Sequence, residues 1–182
     1  MRFVETALEG AYIIEPETFG DLSGGFTRTF SANEFEAKGL TSQFVQSDAF
    51  FSHTRGTLHG IHFQMPPSRG TKVIRCLRGK IYAVIVDMRP ESSTFLFHVG
   101  FKLSAANRRS VYVPELFACA FQTLTDGAEV EYQKSEFYSP QYERGMRYDD
   151  PVLRIEWPLP VTQVAQKDLS WPLMVNVVKP GH

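Results

Sequence analysis

The sequence predicts an all-β fold of the sandwich or barrel kind. Short candidate strands recur about every ten residues, and many are separated by turn residues, of which the chain has 13 Gly and 11 Pro. Aromatic residues, which favour strands, make up 13% of the chain. The sequence has neither a strand–helix–strand alternation nor a glycine-rich phosphate loop. We therefore do not expect a parallel nucleotide-binding sheet.

One short helix is expected at about 32–38, because Ser31 and Glu34 have the spacing of a capping box and Gly39 ends the segment. The predicted strands that follow are 42–48, 58–64, 71–77, 80–88, 95–103, 109–113, 120–124 and 128–137. The Arg78-Gly79 pair between 71–77 and 80–88 suggests a hairpin.

After Tyr138 the chain is rich in turn and extended-loop signals. We expect about 139–182 to wrap the β core, with one helical turn near 164–170. At 182 residues, the whole of 1–182 is predicted to be a single domain.

Charge and hydropathy exclude several classes of protein. The 19 Lys and Arg residues nearly balance the 20 Asp and Glu residues, so net charge favours neither nucleic acid nor an anionic membrane as a partner. No apolar run approaches the roughly 18–20 residues of a membrane span, and the first residues do not resemble a signal peptide. Cys76 and Cys119 lack a CxxC spacing, which favours two reduced thiols in a cytoplasmic protein.

The segment 56–80 concentrates polar side chains on predicted strands. Residues two apart on a strand share a face, so His62 and Gln64 point the same way. His59 points to the opposite face unless Gly60 marks a bulge. An H-x-H metal site is one alternative for this segment, but Gln64 stands where the second His of such a motif belongs. We therefore expect neither a metal nor another cofactor.

Three further residues have ordinary structural interpretations when each is taken alone. Lys72 fits an exposed strand lysine, Tyr132 a core aromatic residue, and Asp168 a charge at a helix end. A function for them depends on the surrounding pattern.

That pattern resembles the dTDP-4-dehydrorhamnose 3,5-epimerase family. The segments that carry the resemblance are GTLHGIHFQ, KVIRCLRGKIYAVIVDMR, FKLSAANRRSVYVPELFACAF, EVEYQKSEFYSP, ERGMRYDDP, IEWPLP and QKDLSWP, in order through roughly 9–174. The resemblance implies a cupin-type antiparallel jelly roll with short flanking helices, free of metal and usually a homodimer. It also implies a role in deoxysugar biosynthesis, acting on a nucleotide-linked 4-keto-6-deoxy sugar.

The resemblance further implies roles for individual residues. His62 falls on the family's catalytic base and Asp168 on the carboxylate that orients it. Lys72 falls on the lysine that stabilises the enolate, Tyr132 on the tyrosine that returns a proton, and Tyr138 on a second pocket tyrosine.

Several substrate-binding positions depart from the family's pattern. His59 replaces an Arg that contacts phosphate, and Cys119 replaces a pocket His. In the motif that contains Phe26, Ser23 replaces an Arg and Arg28 replaces the Glu that faces thymine. The family's Q-x-N is present as Gln46-Ser47-Asp48.

These departures lead to a hypothesis about the nucleotide carrier. We expect Phe26, Arg28, Gln46, Asp48, His59, Cys119 and Tyr138 to contact the substrate. Arg28 is only a donor and cannot accept thymine's ring N–H, which favours CDP or GDP. Whether C3, C5 or both are epimerised stays open. A ketoisomerase and a sugar-nucleotide-binding cupin without turnover are the alternatives.

Overall fold

A computed structural model describes residues 1–174, and it consists mainly of strands. The strands are β1 (Arg2–Glu5), β2 (Tyr12–Glu15), β3 (Thr18–Asp21), β4 (Gly24–Thr27), β5 (Gln46–Ser52), β6 (Thr57–Gln64), β7 (Lys72–Arg78), β8 (Lys80–Asp87), β9 (His98–Ser104), β10 (Ser110–Val113), β11 (Phe117–Thr123), β12 (Ala128–Lys134), β13 (Glu143–Gly145) and β14 (Gln163–Val164). The helices are α1 (Ala32–Ala37) and α2 (Gln166–Leu169), and Pro140–Tyr142 forms a 3₁₀ turn.

Two large sheets pack face to face. The first has the order β1-β2-β10-β7-β12-β5 and the second β13-β6-β11-β8-β9, with β14 added beside β6. All pairs are antiparallel except β14 with β6. Inward side chains from both sheets, such as Ile74 of the first and Ile85 of the second, form the main core. The all-β, jelly-roll prediction is confirmed.

The outer faces of both sheets are also covered. Helix α1 places Phe35 against Val73 and Tyr112 on the outer face of the first sheet. Residues after β13, including Met146 and Leu153, pack against the outer face of the second sheet. Residues 175–182 lie outside the described part of the chain, and the single domain over 1–182 stays a prediction.

The predicted hairpin of 71–77 and 80–88 is wrong. Strand β7 pairs with β10 and β12, whereas β8 pairs with β9 and β11, so the two strands belong to different sheets. The chain crosses from one sheet to the other at Gly79. Its φ of +74° is a conformation that favours glycine, which has no Cβ. Both strands bury apolar residues on both faces, which suits a central position in each sheet.

The other predicted elements differ in smaller ways. The 42–48 strand lies later, at Gln46–Ser52, and β1 to β4 are absent from the sequence-based prediction. Helix α1 and the turn at α2 lie where they were predicted. The capping box does not form, because the Ser31 side chain makes no cap bond. Glu34 instead accepts from the Met1 ammonium at 2.6 Å.

Candidate active site

A cavity of about 390 Å³ lies where the two sheets meet the start of the C-terminal segment. Strands β5, β7 and β12 of the first sheet and β6 and β11 of the second contribute side chains to its wall. Tyr138, Glu143 and Lys167 close the wall from the segment that follows β12. Residues far apart in sequence therefore meet around one space large enough for a small ligand.

A bulge in β6 brings two histidines to this cavity. His62 pairs with Cys119 and His59 with Phe121, so three steps along β6 match two along β11. Gly60 lies at the bulge with φ +108°, and a Cβ there would lie 2.7 Å from the carbonyl oxygen of Cys119. The bulge alternative for His59 is thus confirmed, and Gln64 also lines the cavity, as the alternation predicts.

His62 and Asp168 form a closely held pair. The Nε2 atom of His62 lies 2.5 Å from Oδ1 of Asp168, which is buried on α2. The second carboxylate oxygen accepts the backbone N–H of Gly60 at 3.1 Å. Burial alone raises the pKa of Asp168, but the hydrogen bond and charge of His62 outweigh it and lower this pKa. An ionised Asp168 holds the proton on Nε2 and leaves Nδ1 as a basic nitrogen.

Glu143 faces the other nitrogen of His62. Its Oε1 atom lies 3.8 Å from His62 Nδ1, and its Oε2 atom accepts from the Tyr138 hydroxyl at 2.8 Å and from Lys167. Burial raises the pKa of Glu143, but the bonds from Lys167 and Tyr138 outweigh it and lower this pKa. Sequence reasoning did not select Glu143 or Lys167 as site residues, although both lie within quoted motifs, ERGMRYDDP and QKDLSWP.

Tyr132, Cys119 and Lys72 form a second group on the cavity wall. The Nζ atom of Lys72 lies 3.4 Å from Sγ of Cys119. Burial, followed by the neighbouring Cys119 thiol, raises the pKa of Tyr132 well above its ordinary value. Tyr132 therefore stays protonated at neutral pH and is able to donate a proton.

His59 is held as a neutral ring deeper in the cavity. Its Nε2 atom lies 2.8 Å from the Ser52 hydroxyl, and its ring stacks on Phe121 with centroids 4.7 Å apart. Burial lowers the pKa of His59, an effect that the charge of Asp168 only partly opposes. An uncharged ring suits a hydrogen bond to substrate better than an ion pair with phosphate.

Gln46 and Asp48 lie on β5 beside a lysine that sequence reasoning missed. Asp48 accepts from the Gln46 amide at 2.8 Å and from Lys134 at 2.5 Å. The Lys134 ammonium lies 5.5 Å from the centre of the Tyr138 ring. Lys134 follows Tyr132 by two residues on β12, so strand periodicity carried a signal that both residues share a face.

Two predicted site residues, Phe26 and Arg28, do not reach this cavity. Phe26 lies in the hairpin of β3 and β4, where its residue is 57% exposed. The Arg28 guanidinium lies 4.0 Å from the Glu34 carboxylate and is mostly exposed. Within one chain, eight of the eleven predicted residues line the cavity, Asp168 joins them through its contact with His62, and Phe26 and Arg28 lie outside.

Residues 1–174 contain neither a metal-binding cluster nor a membrane-spanning helix. In this range no group of three His, Cys, Asp or Glu side chains is arranged to hold a metal ion. No helix of the same range is long and apolar enough to cross a membrane.

The chain is similar to one protein family over nearly its whole length. The family model described as dTDP-4-dehydrorhamnose 3,5-epimerase matches residues 5–176. The dTDP-4-dehydrorhamnose 3,5-epimerase of Methanothermobacter thermautotrophicus is 42% identical over 181 residues, which is 97% of this chain and 97% of that protein.

Solved structures agree. The dTDP-4-dehydrorhamnose 3,5-epimerase of Bacillus anthracis, with TDP and PPi bound, has a TM-score of 0.92 and 39% identity, covering 94% of this chain and 98% of that one. The dTDP-6-deoxy-D-glucose-3,5-epimerase of Legionella pneumophila, in complex with dTDP-4-keto-L-rhamnose, has a TM-score of 0.90 and 34% identity. That match covers 98% of this chain and 94% of the other.

Proposed function

The chain belongs to the dTDP-4-dehydrorhamnose 3,5-epimerase family, and on that premise we propose that it epimerises a nucleotide-linked 4-keto-6-deoxy sugar at C3, C5 or both. One observation carries the proposal. The His62–Asp168 pair reaches the cavity from the second sheet and α2, whereas Tyr132 reaches it from the first sheet. A base and an acid on different walls suit removal of a proton from one face of a sugar and its return to the other.

His62 is the base in this mechanism. The ketone at C4 acidifies the neighbouring C–H bonds, and Nδ1 takes the proton while the bonding electrons move toward the ketone oxygen. Asp168 keeps Nε2 protonated and stabilises the imidazolium that results. An imidazole is suited to this step because its protonation changes near neutral pH.

Lys72 and Tyr132 complete the epimerisation, after which proton exchange with water returns His62 and Tyr132 to their starting forms. The Lys72 ammonium stabilises the negative charge on the enolate oxygen, the kind of electrostatic contribution that is usually largest in catalysis. The Tyr132 hydroxyl donates a proton to the opposite face of the carbon, and the electrons return from the oxygen to re-form the ketone. Burial keeps the pKa of Tyr132 high, so the hydroxyl carries its proton when the enolate forms.

Two further lysines suit the diphosphate of the substrate. Lys167 is half exposed and lies 5.9 Å from the centre of the Tyr138 ring, which Lys134 also approaches. Both ammonium groups keep N–H donors beyond those used by Glu143 and Asp48. We assign them the phosphate contacts for which His59 is unsuited.

The carrier nucleotide and the assembly belong to the same proposal. TDP is the first carrier to test, since the Bacillus anthracis relative binds it, and CDP and GDP follow from the exposed Arg28. Phe26 and Arg28 lie outside the cavity of their own chain, which supports a homodimer in which each hairpin of β3 and β4 meets the partner's cavity. Two free cysteines support a cytoplasmic location for the enzyme.

Deuterium incorporation tests the proposal. The protein is incubated in D2O with dTDP-, CDP- and GDP-linked 4-keto-6-deoxy sugars, and each sugar is analysed by mass spectrometry and NMR. We expect label with one carrier, one or two deuterons next to the ketone, and no label with His62→Ala. A moved carbonyl would instead identify a ketoisomerase, and binding without label for every carrier would leave a sugar-nucleotide-binding protein.

A further inference from the structure

His62 lies between two carboxylates. Asp168 of α2 contacts Nε2 at 2.5 Å, and Glu143 of β13 lies 3.8 Å from Nδ1. The Asp168 contact explains which nitrogen holds the resting proton. The mechanism described above leaves Glu143 without a role, although its side chain is only 9% exposed and faces the nitrogen that takes the substrate's proton.

The charge of Glu143 is held in place by two neighbours. Lys167 forms an ion pair with its Oε2 atom, and the Tyr138 hydroxyl donates to the same oxygen. Oε1, the oxygen nearer His62, accepts from neither of them. One oxygen is therefore anchored and the other stays directed at the imidazole.

The interaction acts in both directions. Since Oε1 of Glu143 lies 3.8 Å from Nδ1, the negative charge of Glu143 favours a proton on this nitrogen, and the positive charge of His62 in turn helps to lower the pKa of Glu143. Lys167 opposes this effect, because its ammonium cancels part of the Glu143 charge at the imidazole.

The other groups near His62 do not place a further net negative charge beside its ring. Along its own strand lies His59, which burial keeps neutral, and across the bulge lies Cys119, whose thiol approaches the His62 carbonyl at 3.8 Å. The ring of Trp171 lies 6.4 Å from the imidazole centre and carries no charge. The remaining titratable groups on the cavity wall are Lys72, Tyr132, Lys134 and Asp48, and the last two neutralise one another.

We propose that Glu143 is a positioning residue for the base, a second carboxylate that stabilises the proton on Nδ1 of His62, and that Lys167 sets the strength of this effect. The proposal rests on the proposed function only in treating His62 as the base. Glu143 of the ERG motif and Lys167, the lysine before Asp168, together determine how readily His62 takes up a proton.

Histidine titration by NMR tests the proposal without any substrate. The ring signals of the five histidines are followed against pH in the whole protein, and the His62 signal is assigned by its loss in His62→Asn. Because Glu143 lies 3.8 Å from Nδ1, we expect Glu143→Gln to move the His62 titration to lower pH and Lys167→Met to move it to higher pH. Two opposite shifts from neighbouring residues are not the result of general damage to the fold.

Two controls sharpen the result. Glu131→Gln removes a carboxylate from a similar ion pair, with Arg75, away from the cavity, and should leave the His62 titration unchanged. Glu143→Asp keeps the charge and should restore most of the shift. An unchanged titration in Glu143→Gln, or shifts of the same sign in both variants, would overturn the proposal.

Enzyme kinetics supply an independent check. The acid limb of the kcat/KM profile should move with the NMR titration in each variant, to lower pH in Glu143→Gln and to higher pH in Lys167→Met. A wild-type protein that labels no nucleotide sugar would refute the proposed function. The NMR experiment would still decide whether Glu143 and Lys167 act on His62.

Discussion

The Nε2 atom of His62 lies 2.5 Å from Oδ1 of Asp168, and the two residues are 106 positions apart in the chain. Their contact depends on β14, which pairs beside β6 and delivers α2 to the bulge at Gly60. The bond fixes the tautomer of the imidazole, so its loss should affect chemistry more than substrate binding.

Replacement of Asp168 should therefore lower turnover. We expect Asp168→Asn to reduce kcat about 10²–10⁴-fold with little change in KM, because the amide no longer holds the proton on Nε2 or stabilises the imidazolium. Steady-state kinetics with the active nucleotide sugar measure this. Asp149→Asn, a similar change at a surface ion pair with Arg147, is the control. Near-normal kcat in Asp168→Asn would contradict the proposed dyad.

Tyr132→Phe should separate proton removal from inversion. The variant keeps His62, so the substrate should still gain deuterium from D2O, but His62 delivers the deuteron to the face from which it removed the proton. Mass spectrometry measures label, and NMR coupling constants measure configuration. Tyr12→Phe, in the cluster around Tyr112 on the outer face, is the matched control. Inversion at the normal rate in Tyr132→Phe would require another acid.

Lys134→Ala should weaken substrate binding. Loss of one charge-assisted contact to phosphate, about 1.5–3 kcal/mol, corresponds to a KM at least tenfold higher with kcat nearly unchanged. Adding Asp48→Asn to Lys134→Ala removes the carboxylate that the first substitution leaves unpaired. The double variant should therefore recover part of the lost substrate binding. Lys102→Ala, on the exposed side of β9, should behave as wild type. An unchanged KM in Lys134→Ala would place the diphosphate elsewhere.

Asp87 should contribute to stability in a pH-dependent way. It is fully buried and accepts hydrogen bonds from Arg89, Ser92 and Thr94. Burial alone raises its pKa, but these bonds outweigh it and hold the pKa of Asp87 well below its usual range. Because the folded pKa is the lower one, the stabilisation is fully present above the unfolded value of about 3.9 and is lost progressively as the pH falls from there toward the depressed folded value.

Urea unfolding checks this expectation. Asp87→Asn should lower the free energy of unfolding at pH 7 by about 3 kcal/mol, since it breaks a buried ion pair with Arg89. The difference from wild type should shrink toward pH 3. The exposed Glu156→Gln is the control. A difference that stays constant from pH 7 to pH 3 would show that the Asp87 charge is not its source.

Local periodicity predicted much of the sheet but not its connections. The 58–64 strand was predicted from Gly56 and Pro66-Pro67, which bound it, and it appears as Thr57–Gln64. The 71–77 and 80–88 strands were also found, yet their partners were wrong. Strand pairing depends on which strands compete for the same edge. Nothing within 71–88 indicates that β10 pairs with one edge of β7 and β12 with the other.

Resemblance to the family supplied the cavity residues, and local sequence could not. His59 and His62 share the cavity only because Gly60 introduces a bulge. Glu143 joins them because β13, which begins 81 residues after His62, pairs with β6. Lys134 was missed although its two-residue spacing from Tyr132 was visible, because a lysine on a strand usually faces solvent.

His62 and the two carboxylates around it belong to parts of the fold that differ in stability. His62 lies in an eight-residue central strand, whereas Glu143 and Asp168 belong to a segment attached to that strand through a three-residue pairing and a two-residue pairing. Detachment of this segment would break these pairings and the packing of Met146 and Leu153 but leave the core between the sheets in place, so it should need less free energy than melting of the sandwich. A low concentration of denaturant should therefore inactivate the enzyme through local opening of this segment, while the far-UV circular dichroism of the sheets is unchanged.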